Sequence, residues 1–241
     1  SYEDIVKNPK DTILFDEELH HQIDQQKEDL GADGTLLKTP TGEVYHVNML
    51  EKLLAMILAK MSNFVPEAGI WLNTQRPEWN DANNALVGNG TSMVTLYYMR
   101  RFFSFFDDLI ESVDFTSSAI SEELHCFFIE ILTQLNKHEI ILANPITQQD
   151  RQSVVDALGQ AGSSYRNQIY NNGFSSKTAD ISISDLKAFI HVSLSFIDHS
   201  IDANKREDGL YHAYNLITFE DQGGVSIYYL DEMLEGQVAV L

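Results

Sequence analysis

The chain contains 241 residues, of which 44% are hydrophobic and 22% are charged, and this composition is sufficient for one sizeable core. Its 36 acidic and 16 basic residues give a formal net charge of −20, whereas DNA, RNA and anionic bilayers bind surfaces rich in Lys and Arg. The most apolar run, Met49–Met61, includes Glu51 and two lysines and is too short to cross a bilayer. We therefore expect neither a nucleic-acid partner nor a membrane partner.

Helical periodicity dominates the chain. Apolar residues recur at spacings of three and four in most segments, which is typical of helices that bury one face. Asn48 with Glu51 three residues later, and Thr147 with Asp150, have the pattern of residues that begin a helix. In chain order, we predict helices over residues 16–27, 48–63, 92–112, 121–137, 147–169 and 182–201, and a last one from 232.

Three of the predicted connections are long (residues 31–47, 64–91 and 204–231), whereas others, such as 113–120, are short. Short links suit antiparallel neighbours, and long ordered links are usually functional. The alternation predicts an all-α fold, part of a toroid of helical hairpins, with long loops at one rim and minor β-hairpin structure such as Val225–Tyr229. Because the chain starts at Ser1 and ends inside an apolar run, we predict a single helical domain over 1–241 that is a fragment, completed by flanking segments of the same polypeptide.

The second long connection has the composition of a sugar-binding site. Trp71 and Trp79, the two tryptophans of the chain, stand there with Arg76, two carboxylates and several asparagines. An indole face packs on a pyranose ring, while amides, Arg and carboxylates bind its hydroxyl groups. Alternatively, both tryptophans anchor the loop and Asp81 caps a turn.

The order of residues adds a family resemblance. Residues 76–84 read Arg-Pro-Glu-Trp-Asn-Asp-Ala-Asn-Asn, and residues 88–94 read Gly-Asn-Gly-Thr-Ser-Met-Val at a helix start. This stretch resembles the catalytic loop of the cellobiose and chitobiose phosphorylase family. The resemblance implies an (α/α)₆ catalytic domain, with Asp81 as the general acid and Trp79 lining the sugar subsite beside the scissile bond.

The match has departures. Glu78, Ala82 and Thr91 stand where the family has Asp, Cys and Glu, and the family's phosphate-binding His and Thr-Gly segments are not identified in this chain. The resemblance therefore implies cleavage of a glycosidic bond with inversion but leaves phosphorolysis and hydrolysis open. A phosphorylase would use inorganic phosphate as co-substrate, whereas a hydrolase needs a second carboxylate about 6.5–9.5 Å from the acid. We expect no other cofactor and no metal.

The third long connection is a second candidate for sugar contacts, because residues 205–215 concentrate polar and aromatic side chains, and Glu207 or Asp208 can serve there as the base that activates water. The other interpretation of this stretch is a turn with an aromatic anchor. The substrate is expected to be a disaccharide or oligosaccharide, and its predicted contacts are Arg76, Glu78, Trp79, Asn80, Asn84, Tyr211, His212, Tyr214 and Asn215.

Two other functions remain open at this point. One is a non-catalytic carbohydrate-binding or scaffold domain with the same fold. The other is a helical interaction domain without a sugar site, which predicts that Trp79 is buried in the core.

Overall fold

The helices occupy most of the chain. The computed structural model describes residues 1–73, 85–114 and 116–241. Its helices are α1 (Tyr2–Lys7), α2 (Glu17–Leu30), α3 (Met49–Met61), α4 (Met93–Ser112), α5 (Glu122–His138), α6 (Gln148–Asn172), α7 (Ile183–Ala203) and α8 (Leu234–Val240), with 3₁₀ turns at Gly31–Thr35 and Glu139–Ala143. Its strands are β1 (Phe64–Val65), β2 (Gly69–Trp71), β3 (Gly90–Ser92), β4 (Ser117–Ser121), β5 (Thr178–Ser182), β6 (Tyr214–Phe219) and β7 (Val225–Tyr229).

The strands correct the predicted fold class. The structure is 59% helical and 14% strand, a mixed α/β fold, so the prediction of an all-α (α/α)₆ toroid is wrong. Five strands form a curled antiparallel sheet in the order β1-β2-β3-β6-β7, and β4 pairs with β5 in a second sheet. The sequence does not reveal β1, β2 and β3 because each has only two or three residues, too few for an alternating pattern.

Three helices begin directly after a strand that ends in serine. The Oγ atom of Ser92 accepts a hydrogen bond from the Thr95 amide at 3.0 Å, and Ser182 caps α7 in the same way. Ser121, at the start of α5, differs because its amide donates to the carboxylate of Glu51 at 3.0 Å. Glu51 belongs to α3, so an acid from one helix neutralises the positive end of another and fixes their relative positions.

The main hydrophobic core lies among α3, α4, α5 and α7. Phe189 of α7 contacts Phe103 of α4 and Phe128 of α5, with ring centroids 5.6 and 5.3 Å away. A second, smaller core lies between the five-stranded sheet and helices α1 and α6, and it consists of Tyr2, Val65, Ala68, Trp71, Val155, Ile217 and Val225. This second core holds the sheet against α6.

The N-terminal helix α2 packs little against this body. It begins after Asp16, whose side chain caps the Leu19 amide at 2.9 Å, and none of its residues is buried. The sequence prediction of a polar helix in this region is confirmed. Within the parts of the chain that the structure describes, no helix combines the length and hydropathy needed to span a membrane.

Candidate functional site

The predicted catalytic segment lies largely outside the described residues. Asp81, the predicted general acid, and Arg76, Glu78, Trp79, Asn80 and Asn84, its predicted neighbours, all fall within 74–84. Their roles remain predictions. What the structure does describe is the root of the segment, on β2 and β3.

The two ends of this segment leave the sheet side by side. The indole Nε1 of Trp71 donates to the carbonyl of Gly88 at 2.8 Å, and the Leu72 amide donates to Gly90 at 2.9 Å. The Gly88 amide returns a hydrogen bond to Leu72 at 2.6 Å. Because Trp71 is only 4% exposed, this tryptophan anchors the loop and does not present its face to a ligand.

The N-terminal segment crosses the same root. The hydroxyl of Thr12 donates to the carbonyl of Asn73 at 2.9 Å, and the side chain of Lys10 lies against Gly88. A Cβ atom on Gly88 would lie 2.5 Å from Cγ of Lys10, and the φ angle of Gly88 is +109°. The positive φ angle favours glycine here, whereas the nearby atoms of Lys10 belong to a flexible side chain that can shift.

Strand pairing brings the second candidate loop to the first. Ser92 lies opposite Tyr214 and Thr91 opposite Asn215 in the β3–β6 pair, and the Met93 amide donates to the carbonyl of Ala213 at 2.9 Å. The helix start that follows the predicted catalytic segment is thus hydrogen-bonded to the loop 205–215. Two segments that are far apart in sequence meet at one place.

Asn215 supports this pairing from inside the protein. It has no exposed surface, and its amide Nδ2 donates to the carbonyl of Ala68 at 3.0 Å and to Oδ1 of Asn204 at 2.8 Å. Thr91, which stands where the family has Glu, donates to the same Ala68 carbonyl at 2.7 Å. The burial gives Asn215 a structural role and offers no support for its predicted contact with a sugar.

Tyr214 and helix α8 form the next layer of the site. The Tyr214 hydroxyl donates to Oε2 of Glu235 at 3.0 Å, although the ring itself is only 1% exposed. Glu235 is brought there by Gly236, whose Cα lies so close to Ala213 that a Cβ atom would be 2.9 Å from the Cβ of Ala213. The side chain of Gln237 then bonds both the amide and the carbonyl of Tyr211. An exposed carboxylate, Glu235, is therefore fixed beside the β3–β6 pair.

His212 has one ring nitrogen engaged. Its Nδ1 lies 2.8 Å from the carbonyl of Leu230, and its ring packs on Tyr229 with centroids 4.9 Å apart. When the ring is neutral with the proton on Nδ1, Nε2 is left as a hydrogen-bond acceptor. A sugar hydroxyl is a suitable donor to that atom.

Tyr211 lines a cavity of about 430 Å³ between α4, α7 and α8. Arg100 and Asp198, which form an ion pair at 2.6 Å, are in its wall, together with Asp202. Guanidinium and carboxylate groups of this kind bind hydroxyl groups. Tyr211, one of the predicted sugar contacts, therefore lies at a polar cavity.

The predicted base Asp208 is held by its neighbours. Arg206 donates to its carboxylate at 3.0 Å, and the Leu210 amide donates at the same distance. The hydrogen bond from Arg206 is the main cause that lowers the pKa of Asp208, and the hydrogen bond from the Leu210 amide is the second. A carboxylate stabilised in its ionised form is a weaker proton acceptor, so Asp208 is poorly suited to the predicted role of base.

One buried polar cluster has no counterpart in the sequence predictions. Glu67, in the β1–β2 turn, has a φ angle of +63° and pairs with Arg151 of α6, while His199 lies 3.3 Å from its other carboxylate oxygen. The signal was present in the sequence, because Arg151 stands one turn before the buried Val155 on the apolar face of α6. A basic residue on an apolar face predicts a buried partner, but the sequence does not identify that partner.

No protein-family model matches the chain, and no curated protein matches it. Across residues 1–73, 85–114 and 116–241, there is also no group of three or more His, Cys, Asp or Glu side chains that can hold a metal ion. Only the residues and their geometry therefore indicate a function.

Proposed function

We propose that this protein is a carbohydrate-active enzyme that cleaves a glycosidic bond with inversion, and that Asp81 is the general acid. The observation that carries the proposal is the pairing of β3 with β6. It joins the helix start after the segment resembling a phosphorylase catalytic loop to the loop that bears Tyr211, His212 and Tyr214. Each segment is predicted, from its own residues, to contact a sugar.

A second carboxylate supports the proposal. Glu235 is exposed, belongs to the short helix α8 and accepts a hydrogen bond from Tyr214, which lies opposite Ser92 in the sheet. Asp81 precedes the described residue Ala85 by four positions, and four residues of extended chain span about 13 Å. Inversion by hydrolysis requires that the acid and the second carboxylate face one sugar from opposite sides.

Phosphorolysis and hydrolysis differ in what attacks the sugar. In hydrolysis Glu235 would accept a proton from the attacking water, whereas in phosphorolysis inorganic phosphate attacks and needs no protein base. A panel of β-linked disaccharides incubated with and without phosphate distinguishes the two reactions. Formation of a sugar phosphate indicates phosphorolysis, and release of two free sugars without phosphate indicates hydrolysis.

The variant Asp81→Asn tests the proposal directly. We expect turnover to fall by about 10²- to 10⁴-fold, the usual contribution of a general acid, while the affinity for the sugar is kept. The matched control is Asp29→Asn, which removes one exposed carboxylate from α2 and is expected to leave turnover unchanged. Equal turnover in Asp81→Asn and the wild type would refute the assignment of Asp81.

A non-catalytic carbohydrate-binding protein is the second candidate. The mixed α/β architecture does not separate this candidate from the enzyme, because both were expected to have the toroid that the structure lacks. The second candidate predicts sugar binding by calorimetry without any product, and equal affinity in the wild type and in Asp81→Asn.

A further inference from the structure

The N-terminal residues contact both limbs of the root on β2 and β3. The hydroxyl of Thr12 donates to the carbonyl of Asn73, on the limb that leaves β2, at 2.9 Å. The side chain of Lys10 lies against Gly88, on the limb that enters β3. After Thr12 the chain leaves the body, since Leu14 is 93% exposed and no residue of α2 is buried. The packing of α2 therefore does not explain why the N-terminal residues lie on the root.

Helix α1 anchors these residues to α6. The ring of Tyr2 is only 6% exposed, and its hydroxyl donates to Oδ1 of Asp156 at 2.7 Å. Gly159 makes room for this ring, because a Cβ atom there would lie 2.2 Å from Cε2 of Tyr2. A backbone hydrogen bond of 3.2 Å between the two ends of residues 8–11 closes the turn that follows α1. Thr12 is therefore presented to the root from a fixed position.

Asn73 is the last described residue before segment 74–84, and it is held on two sides. It is 7% exposed, and its Nδ2 donates to Oδ1 of Asn63 at 2.6 Å, while its carbonyl accepts the hydrogen bond from Thr12. A carbonyl oxygen lies in the plane of the peptide bond that follows it. The hydrogen bond from Thr12 therefore fixes the direction in which the chain leaves Asn73.

We propose that Thr12 is a positioning residue for the predicted catalytic segment, acting through the carbonyl of Asn73. The inference rests on the proposed function, because that segment carries Asp81. A general acid must lie within hydrogen-bond reach of the oxygen that it protonates, and a misplacement of about 1 Å lowers the rate about 10²-fold. One hydrogen bond at the root therefore has a larger effect on turnover than on folding.

Three variants of the full chain test the proposal through turnover. Thr12→Val removes the hydroxyl and keeps the shape of the side chain, and kcat should fall by about ten- to a hundredfold while KM stays the same. Thr12→Ser keeps the hydroxyl and should have a kcat near that of the wild type. The matched control is Thr35→Val, which removes a hydroxyl that donates to the carbonyl of Ala32 at the same distance of 2.9 Å, and it should turn over as the wild type does.

Amide hydrogen exchange tests the same hydrogen bond without a substrate. The Leu72 amide donates to Gly90, and the Gly88 amide donates to Leu72, so both amides report on the contact between the two limbs. In Thr12→Val both should exchange about two- to tenfold faster, the range that one neutral hydrogen bond contributes. The amides of α7 should keep their wild-type rates, which shows that the change is local and that the variant is folded.

The outcomes separate a failure of this inference from a failure of the proposed function. Wild-type exchange at Leu72 and Gly88 in Thr12→Val would overturn the inference, and so would a Thr12→Ser variant as slow as Thr12→Val. Unchanged turnover in Thr12→Val, on a sugar that Asp81→Asn no longer cleaves, would overturn the inference and leave the proposed function intact. Wild-type turnover in Asp81→Asn would refute the proposed function, and with it the catalytic consequence of the contact, whatever the exchange rates are.

Discussion

Arg151 connects α6 to both edges of the curled sheet, and its replacement tests the fold most directly. Its Nε donates to the carbonyl of Pro66 in the β1–β2 turn at 2.9 Å, and its Nη1 donates to the carbonyl of Val225 on β7 at 2.7 Å. Its Nη2 pairs with the carboxylate of Glu67. The exposed fractions of the two side chains are 7% for Arg151 and 15% for Glu67, so the pair is largely protected from water.

Arg151→Met keeps most of the side-chain volume and removes all three donors. It removes the guanidinium partner of Glu67 and leaves only His199, 3.3 Å from the other carboxylate oxygen; breaking a buried ion pair costs about 3–5 kcal/mol of unfolding free energy. For a chain of this size each kcal/mol lowers Tm by about 2–4 °C, so a loss near the middle of that range corresponds to about 8–16 °C. The double variant Arg151→Met with Glu67→Gln should recover part of the loss, because no unpaired charge then remains buried.

Urea unfolding followed by circular dichroism measures these differences. Lys52→Met, which removes one exposed cation from α3, is the control and should change the unfolding free energy by less than about 0.5 kcal/mol. A loss below about 1 kcal/mol in Arg151→Met, without recovery in the double variant, would refute the reasoning, since it would mean that water already solvates the pair.

Two further predictions concern the candidate site and the pH dependence of folding stability. Gly236→Ala places a Cβ atom 2.9 Å from the Cβ of Ala213 and should lower the unfolding free energy by about 1–3 kcal/mol through overpacking. The control Val238→Ala, at an exposed position of the same helix, should change it little. Equal losses of unfolding free energy in a urea titration would contradict the prediction. Burial raises the pKa of Tyr165 from 10.0 to about 12. The contribution of this group to the unfolding free energy is therefore fully present below pH 10.0 and is lost as the pH rises toward 12. Tyr165→Phe should reduce this alkaline decrease, and an identical pH dependence of unfolding in variant and wild type would exclude Tyr165 as a contributor.

The helices were accessible from the sequence because their signals are local. Asn48 accepts from the Glu51 amide at 2.9 Å, and Thr147 forms a capping box with Asp150, as the spacing of these residues predicts. The predicted helix over 92–112 is present as Met93–Ser112. Its start after Ser92 follows from the serine side chain, which satisfies an amide that the helix itself leaves free.

The predicted β run Val225–Tyr229 is confirmed as β7, but the sheet as a whole was not accessible, and the error in fold class came from it. β3 pairs with β2 on one side and with β6 on the other, and Thr91 bonds to Asn215 across 124 positions of sequence. A strand of three residues shows no period, and its hydrogen bonds depend on a partner that local sequence does not specify. The predicted long loops at 64–91 and 204–231 therefore contain most of the strands that form the core sheet.

For the candidate site, the sequence by itself determined the chemistry that residues 76–84 can offer, since an acid beside an indole is recognisable from the order of residues alone. Only the tertiary structure decided which other residues stand near the root of that segment. It places Tyr214 and Glu235 beside β3 and buries Asn215 within the sheet. It also connects the sheet to α6 through the hydrogen bonds of Arg151. The physical reason is that residue type sets what a side chain can donate or accept, whereas its neighbours are set by long-range strand pairing and packing, which depend on the whole chain at once.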